Sequence, residues 1–336
     1  MTDSSQPSGG HTVEFFNPLS RPTEPGAHRR SVIDVGTNSV KLLVADVQGA
    51  AVEPVLEQSE QTRLGRGFYE HHRLQSAAIE ATARAVARFA RQAREAGAEE
   101  VRVIATSAAR DAVNPGDLIR AIEAEAGLTA QIISGEQEAE WVFRGVASDP
   151  LLGQQRLLLL DVGGGSTEFI LGERGHHTFR QSFPLGSVRL LEKLRPADPP
   201  EPGDLPRCRA WLHGFFAHRV APSLEAYRAG PSADRAILVG TGGTATILAR
   251  MEAGLTHFDR LVLDQTRLKA DRVTHFVRLL WGISVAERRS IAGLPANRAD
   301  IIPMGAAIFE AVMTHFRFEE LVISTRGLRF GAVLAG

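Results

Sequence analysis

Apolar and polar residues alternate along the chain in two different patterns, which predict strands and helices in turn. Residues 31–47 read SVIDVGTNSVKLLVADV, two apolar segments around a short polar turn, and this pattern predicts a hairpin. Residues 156–172, RLLLLDVGGGSTEFILG, predict a second hairpin of the same kind. Residues 74–96 place apolar side chains at helical spacing and end at Gly97, which predicts a long helix. Hairpins and helices in this order predict an α/β fold.

The two predicted hairpins share a sequence pattern. Asp34 matches Asp161, and each aspartate is followed by Val-Gly, two further residues, a serine and a second apolar strand. An internal repeat of this kind predicts two domains of common ancestry, whose hairpins can face each other. A chance match of two short segments is the alternative.

Composition narrows the classes of protein to consider. Hydrophobic residues at 43% and charged residues at 23% are typical of soluble globular chains. The formal net charge is -1, so no overall field attracts nucleic acid or a membrane, and neither is expected as a partner. Residues 1–29 are rich in Pro, Gly and Ser and contain no apolar run of signal-peptide length, which predicts a disordered tail. Cys208 is the single cysteine, which excludes an intrachain disulfide and predicts a cytoplasmic protein.

The two hairpin turns carry the strongest chemical signal. Glycines and small hydroxyl residues allow backbone N–H groups to converge on an anion, which is typical of phosphate-binding loops. Asp34 and Asp161 end the first strand of each hairpin, where a carboxylate would repel a bare phosphate. A bridging cation such as Mg²⁺ resolves this repulsion, with Asp161 and Glu168 as hard oxygen ligands. The alternative is that the glycines serve only the turns.

Three further residues are candidates on weaker grounds. Glu138 lies near the start of a predicted helix, where the helix dipole favours an ionised carboxylate that can accept a proton from water. The alternative is that Glu138 only stabilises that helix, together with the neighbouring acids. Arg110 and Arg63 lie in turns where either guanidinium could hold a phosphate, although each could equally be a solvated surface residue.

A glycine-rich segment in the second half offers a competing interpretation. Residues 240–245, GTGGTA, fit Gly-x-Gly-x-x-Ala between a predicted strand and a predicted helix, and Asp264 ends the next apolar run. This arrangement is typical of NAD-binding sites, so a dehydrogenase stays open as an alternative. The chain contains no Gly-x-x-x-x-Gly-Lys-Ser/Thr, His-Glu-x-x-His or Gly-x-Ser-x-Gly motif, which excludes the common phosphate-loop, zinc-hydrolase and serine-hydrolase signatures.

Several motifs, in order and spacing, resemble the exopolyphosphatase/guanosine pentaphosphatase (Ppx/GppA) family. The resemblance runs from about residue 31 to the end of the chain. The matching segments are DVGTNS (34–39), RLG (63–65), ATSAARDA (105–112), ISGEQEA (133–139), DVGGGSTE (161–168), PLGSVR (184–189), GTGGT (240–244), RADIIPMG (298–305) and GLR (327–329).

The resemblance implies a fold of two ribonuclease-H-like domains flanking a cleft, as in the actin-like and sugar-kinase-like ATPase superfamily. The C-terminal strand would return to the first domain. We therefore predict domain I over residues 30–135 plus 321–336 and domain II over residues 136–320. A homodimer is also expected from the family.

The resemblance also implies an activity and roles for individual residues. It implies hydrolysis of the terminal phosphate of inorganic polyphosphate, or conversion of guanosine pentaphosphate (pppGpp) to ppGpp, with Mg²⁺ or Mn²⁺ as cofactor. Glu138 matches the family's catalytic glutamate, and Asp161 and Glu168 match acidic positions of the metal and water site, with Asp34 as a third candidate ligand. The positions that match phosphate-binding residues are Asn38, Ser39, Gly164, Gly165, Ser166 and Arg110, with Arg63 as a less certain member.

Two substitutions depart from the family pattern. Thr37 replaces a common serine and keeps its hydroxyl, whereas Phe330 stands where many members carry glutamate. The chain resembles the short form of the family, without the HD-type helical domain of long members, so we expect a preference for shorter polyphosphates or for pppGpp. A kinase of the same fold and a regulator that binds polyphosphate or an alarmone without turnover are the alternatives.

Overall fold

The computed structural model describes residues 12–16, 26–228 and 236–335. The strands in this part of the chain are β1 (Thr12–Phe16), β2 (His28–Val35), β3 (Val40–Gln48), β4 (Ala51–Glu60), β5 (Glu100–Ala105), β6 (Ala130–Ile132), β7 (Arg156–Val162), β8 (Thr167–Glu173), β9 (His176–Phe183), β10 (Ile237–Thr241), β11 (Arg267–Lys269) and β12 (Glu320–Ile323). The α-helices are α1 (Ser76–Glu95), α2 (Ser107–Asp111), α3 (Pro115–Ala126), α4 (Gly135–Ala147), α5 (Ser187–Leu194), α6 (Asp204–Phe215), α7 (Ala221–Arg228), α8 (Gly242–Ala253), α9 (Arg260–Asp264), α10 (Ala270–Trp281), α11 (Val285–Arg288), α12 (Ile302–Phe316) and α13 (Leu328–Leu334).

Two sheets with the same core topology confirm the predicted repeat. The first sheet has the order β1-β4-β3-β2-β5-β6, and the second has the order β11-β12-β10-β7-β8-β9. In each sheet, three consecutive antiparallel strands are followed by two strands that pair in parallel. In the first sheet the antiparallel strands are β2, β3 and β4 and the parallel ones are β5 and β6. In the second sheet they are β7, β8 and β9, followed by β10 and β12. Both predicted hairpins, β2–β3 and β7–β8, and the long helix α1 are therefore present.

The structure differs from the predictions at both ends of the chain. The prediction of a disordered tail over residues 1–29 is wrong at Thr12–Phe16, because this segment pairs antiparallel with β4 and covers an otherwise open sheet edge. It is also wrong at residues 28 and 29, because β2 begins at His28. Residues 1–11 and 17–25 lie outside the described residues. The C-terminal strand β12 does not return to the first sheet, because its residues pair in parallel with β10 in the second sheet. Residues 321–336 were predicted to belong to domain I. Within them, helix α13 does pack on β2 and β3 of the first sheet.

Three apolar cores fix how the two sheets stack. One core lies between the first sheet and helices α1 and α3, and another lies between the second sheet and helices that include α8, α10 and α12. The third core lies between the two sheets and contains α4 and α13. These two helices cross so closely that a Cβ at Gly331 would overlap the Trp141 carbonyl, and one at Gly145 would overlap the Gly327 carbonyl. No described helix is long and apolar enough to cross a membrane.

Candidate active site

A cavity of about 170 Å³ lies between the turns of the two hairpins. The turn of the first hairpin is closed by a hydrogen bond from Gly36 N to Ser39 O (3.0 Å), and that of the second by one from Gly163 N to Ser166 O (3.0 Å). Because the two turns are built alike, each presents its glycine and hydroxyl residues to the same space. The predicted residues that line this cavity are Asp34, Asn38, Ser39, Glu138, Asp161, Gly164, Gly165, Ser166 and Glu168.

The two hairpins differ at the residue paired with the aspartate. In the first hairpin Asp34 pairs across the strands with Lys41, whereas in the second Asp161 pairs with Glu168. Lys41 and Glu168 occupy equivalent positions of the repeat, since each lies two residues after the turn serine. The first hairpin therefore offers a balanced charge pair, and the second offers two neighbouring carboxylates.

Burial perturbs every one of these charged groups. Burial raises the pKa of Asp161 to about 6, with the neighbouring Asp34 adding to the rise and Lys41 opposing it. Burial and the charge of Asp161 raise the pKa of Glu168 to about 7. The pKa of Asp34 is also raised by burial, and that of Lys41 is lowered, first by burial and then by Arg329. The carboxylates of the second hairpin therefore need a compensating positive charge to stay ionised at neutral pH.

Glu138 lies in the first turn of α4, at the edge of the same cavity. Ser134 caps the start of the helix, and its hydroxyl accepts a hydrogen bond from Gln137 N (3.1 Å). Glu138 is 7% exposed, and its Oε2 accepts a hydrogen bond from Arg110 Nη1 (3.0 Å). Burial and then the charge of Glu168 raise the pKa of Glu138 well above its ordinary value, whereas Arg110 lowers it. Arg110 thus favours the ionised form of a buried glutamate.

The structure places the two predicted arginines differently from the other candidates. Arg110 lies behind Glu138, where its Nη1 also donates to the Ile133 carbonyl (3.0 Å), and it lines a neighbouring groove rather than the cavity itself. Arg63 lies outside the cavity and forms an ion pair with Asp300 (Nη1 to Oδ2, 2.7 Å). Neither guanidinium therefore lines the cavity between the hairpin turns in this structure.

Several buried polar atoms around the cavity have no hydrogen-bond partner among the described residues. They include Asp34 Oδ1, Asn38 Nδ2, Ser39 Oγ and Ser107 Oγ. An unsatisfied buried polar atom costs about 1–3 kcal/mol, so such a cluster of donors and an acceptor indicates a site for a polar ligand. The donors suit phosphate oxygens, and the carboxylate oxygen suits a cation.

The residues fit a Mg²⁺ ion only if other ligands complete its shell. Within the described chain, no three His, Cys, Asp or Glu side chains are grouped closely enough to hold a metal by themselves. Mg²⁺ is commonly held by one or two carboxylates together with waters and substrate phosphates. Asp161 and Glu168 supply such a pair, and the unpartnered Asp34 Oδ1 faces the same cavity.

Sequence reasoning missed part of this site. Lys41 lines the cavity opposite Asp34, and a signal for it existed, because it lies two residues after the turn residue Ser39 and is one of the few lysines in the chain. Arg329 also lines the cavity and is fixed by Leu42 O (2.6 Å from Nη1) and Glu57 Oε2 (3.0 Å from Nη2). The matching segment GLR (327–329) was a signal for Arg329, but these contacts join distant parts of the chain and no local pattern predicts them.

The GTGGT segment forms a third turn at the cavity. Gly242 has φ +82°, and a Cβ there would overlap the carboxylate of Asp161. Glycine is therefore required by the close approach of the turn to Asp161. The acid of the dinucleotide interpretation, Asp264, instead accepts hydrogen bonds from Thr325 N (2.6 Å) and Oγ1 (3.0 Å).

Two curated proteins are similar in sequence over nearly the whole chain. Exopolyphosphatase 2 of Mycobacterium tuberculosis is 32% identical over 323 residues, which cover 91% of this chain and 98% of the relative. Exopolyphosphatase 1 of the same organism is 31% identical over 307 residues, covering 91% and 87%.

Solved structures show the same fold. An exopolyphosphatase from Cytophaga hutchinsonii superposes with a TM-score of 0.80 at 26% identity, covering 90% of this chain and 96% of that one. A Ppx/GppA family member from Aquifex aeolicus gives a TM-score of 0.74 at 28% identity, covering 92% and 97%. The predicted actin-like fold of two related α/β domains is thereby confirmed. The model of the Ppx/GppA phosphatase family matches residues 43–335, and the chain belongs to this family.

Proposed function

We propose that this protein is a Mg²⁺-dependent exopolyphosphatase that hydrolyses the terminal phosphoanhydride bond of inorganic polyphosphate. The observation that carries the proposal is the placement of a buried glutamate, Glu138, and the carboxylate pair Asp161 and Glu168 around one cavity between the two hairpin turns. The names of the two mycobacterial relatives support the substrate class.

In this proposal Glu138 is the general base. Its carboxylate accepts a proton from the water that attacks the terminal phosphorus, and Arg110 orients it through the 3.0 Å ion pair. Asp161 and Glu168 would hold a Mg²⁺ or Mn²⁺ ion, which would supply positive charge to offset that of the phosphoryl oxygens and of the carboxylates themselves. The raised pKa values of the three acids follow from their burial, so binding of the cation and ionisation of the acids are expected to be coupled.

The turns and their neighbours position the chain of phosphates. Gly164, Gly165, Ser166, Asn38 and Ser39 line the cavity, and in this proposal their backbone N–H groups and side chains are the donors to the phosphate oxygens. Phosphoryl transfer depends mainly on positioning and on neutralising charge, and this lining supplies both without a covalent intermediate.

Guanosine pentaphosphate is proposed as a second substrate, because it presents the same terminal phosphoanhydride. A homodimeric assembly and a cytoplasmic location are likewise part of the proposal and follow from the family resemblance and the single cysteine. A regulator that binds without turnover is the competing function, and the buried Glu138 argues against it, since binding alone needs no water-activating carboxylate.

The test is release of inorganic phosphate by the purified protein from short polyphosphate, long polyphosphate and pppGpp, with Mg²⁺, with Mn²⁺ and with EDTA. We expect release that requires the cation and that Glu138→Gln lowers by about 10²–10⁴-fold. Glu140→Gln is the matched control, because Glu140 lies on the same helix but pairs with Arg144 and Arg180 outside the cavity. Tight binding of all three compounds without phosphate release would favour the regulator instead.

A further inference from the structure

Three hydroxyl groups of the first domain converge on Gly165 in the second hairpin turn. A Cβ at Gly165 would lie within 2.7 Å of Tyr69 Oη, Ser107 Oγ and Thr37 Oγ1. The Ser107 hydroxyl is buried and has no hydrogen-bond partner in the described part of the chain, whereas the buried Tyr69 hydroxyl lies against the Thr37 hydroxyl, and this contact lowers the pKa of the phenol. Leaving the Ser107 hydroxyl unpaired costs about 1–3 kcal/mol, so the convergence of three hydroxyls at this point indicates a ligand with acceptor oxygens.

Helix α5 holds Tyr69 through two side chains. Arg189 stacks over it with its guanidinium carbon 4.2 Å from the ring centroid, and Glu192 accepts a hydrogen bond from Tyr69 N (3.1 Å). Arg189 also donates from Nε to the Gly165 carbonyl (2.7 Å) and from Nη2 to Asp111 Oδ2 (2.5 Å). One side chain therefore fixes both the phenol ring and the turn that the phenol oxygen faces.

The phenol of Tyr69 is chemically suited to donate. Burial raises its pKa to about 12, so the hydroxyl keeps its proton at any pH at which the protein is expected to work. Tyr69 also lies outside every motif that pointed to the site, because the matching segment of its loop ends at Gly65. Its contribution is therefore a feature of this structure rather than of the sequence patterns.

We propose that Tyr69, together with Thr37 and Ser107, donates hydrogen bonds to phosphoryl oxygens of the substrate bound beside Gly165, and that Arg189 is the positioning residue for Tyr69. This inference rests on the proposed function, since Thr37 and Ser107 line the cavity between the hairpin turns, and Tyr69 lines the neighbouring pocket beside α5. It assigns the loop after Arg63 a direct part in substrate binding.

The first test is Tyr69→Phe, which removes one oxygen and keeps the ring that Arg189 covers. We expect kcat/KM for inorganic tripolyphosphate to fall about tenfold or more, as for loss of a hydrogen bond to a charged group, with Tm unchanged or raised. Thr62→Val is the matched control, because the Thr62 hydroxyl is buried in the same domain and bonds Thr82 Oγ1 (2.9 Å). It should lower Tm while leaving kcat/KM within about twofold of the wild type.

The second test asks whether Arg189 acts through Tyr69. Arg189→Met should lower kcat/KM in the wild-type background and cost clearly less in the Tyr69→Phe background, since the two residues act as a unit. Equal costs in both backgrounds would reduce Arg189 to a structural role and overturn its assignment.

Calorimetric binding of tripolyphosphate separates this inference from the proposed function. Wild-type protein that binds tripolyphosphate without hydrolysing it would refute the hydrolase while still testing Tyr69, whose replacement by Phe should weaken binding about tenfold. Wild-type activity and affinity that Tyr69→Phe leaves unchanged would show that the hydroxyl faces only water and would overturn the inference alone.

Discussion

The carboxylate of Glu168 is expected to destabilise the metal-free protein at neutral pH. Glu168 is 1% exposed, and burial together with Asp161 raises its pKa from the ordinary 4.5 to about 7. Below pH 4.5 the group is protonated in both the folded and the unfolded chain. As the pH rises from 4.5 to 7, the unfolded chain loses the proton first, so the free energy of unfolding falls by about 3 kcal/mol at 1.36 kcal/mol per pKa unit.

Glu168→Gln removes this titration while keeping the shape and the acceptor for Ser182 Oγ (2.7 Å). In EDTA we expect the variant to be more stable than the wild type by about 3 kcal/mol at pH 8 and nearly equal to it at pH 4.5, as measured by urea unfolding followed by tryptophan fluorescence. Glu173→Gln, on the same strand but 44% exposed, should change stability by less than about 0.5 kcal/mol. Adding Mg²⁺ should raise the free energy of unfolding of the wild type more than it raises that of the Glu168→Gln variant. If the stability difference between Glu168→Gln and the wild type does not grow from pH 4.5 to pH 8, the raised pKa assigned to the buried Glu168 carboxylate is refuted.

Three other outcomes are expected. Arg110→Met removes the positive charge that lowers the pKa of Glu138, so the acid limb of the pH profile of kcat/KM should move to higher pH. An acid limb that does not move would contradict the pairing of Arg110 with Glu138. Gly331→Ala should lower the free energy of unfolding by about 2 kcal/mol or more, because the added Cβ overlaps the Trp141 carbonyl. Gly214→Ala is the control: it has open space around it in a helix, where alanine is favoured over glycine, and should raise Tm slightly. Arg63→Ala should change kcat/KM less than about threefold, since Arg63 pairs outside the cavity, and a larger loss would restore it as a phosphate ligand.

Local sequence pattern predicted the elements that bring the chemistry together. The two hairpins, the strand-turn-helix at GTGGT and the start of α4 at Gly135 follow from periodicity and turn residues, which act over a few positions. The repeat also predicted that Asp34 and Asp161 face one cavity, because equivalent turns in equivalent sheets end at the same cleft. These are features that short segments encode.

What the sequence could not predict depends on contacts between distant segments. The pairing of β12 with β10, the ion pair of Arg63 with Asp300 and the stacking of Arg189 on Tyr69 each join residues far apart in the chain. Such contacts are set by the packing of whole layers, and one chain without related sequences contains no local signal for them.

The apolar core between the two sheets has a consequence for how the protein folds. Leu43 of the first sheet and Val239 of the second belong to the same cluster as Trp141 of α4 and Phe330 of α13. Unfolding either half would expose the face that the other half covers, so the two halves are expected to melt in one cooperative transition. The two halves are built alike, and the helices packed between them make each half dependent on the other for its stability.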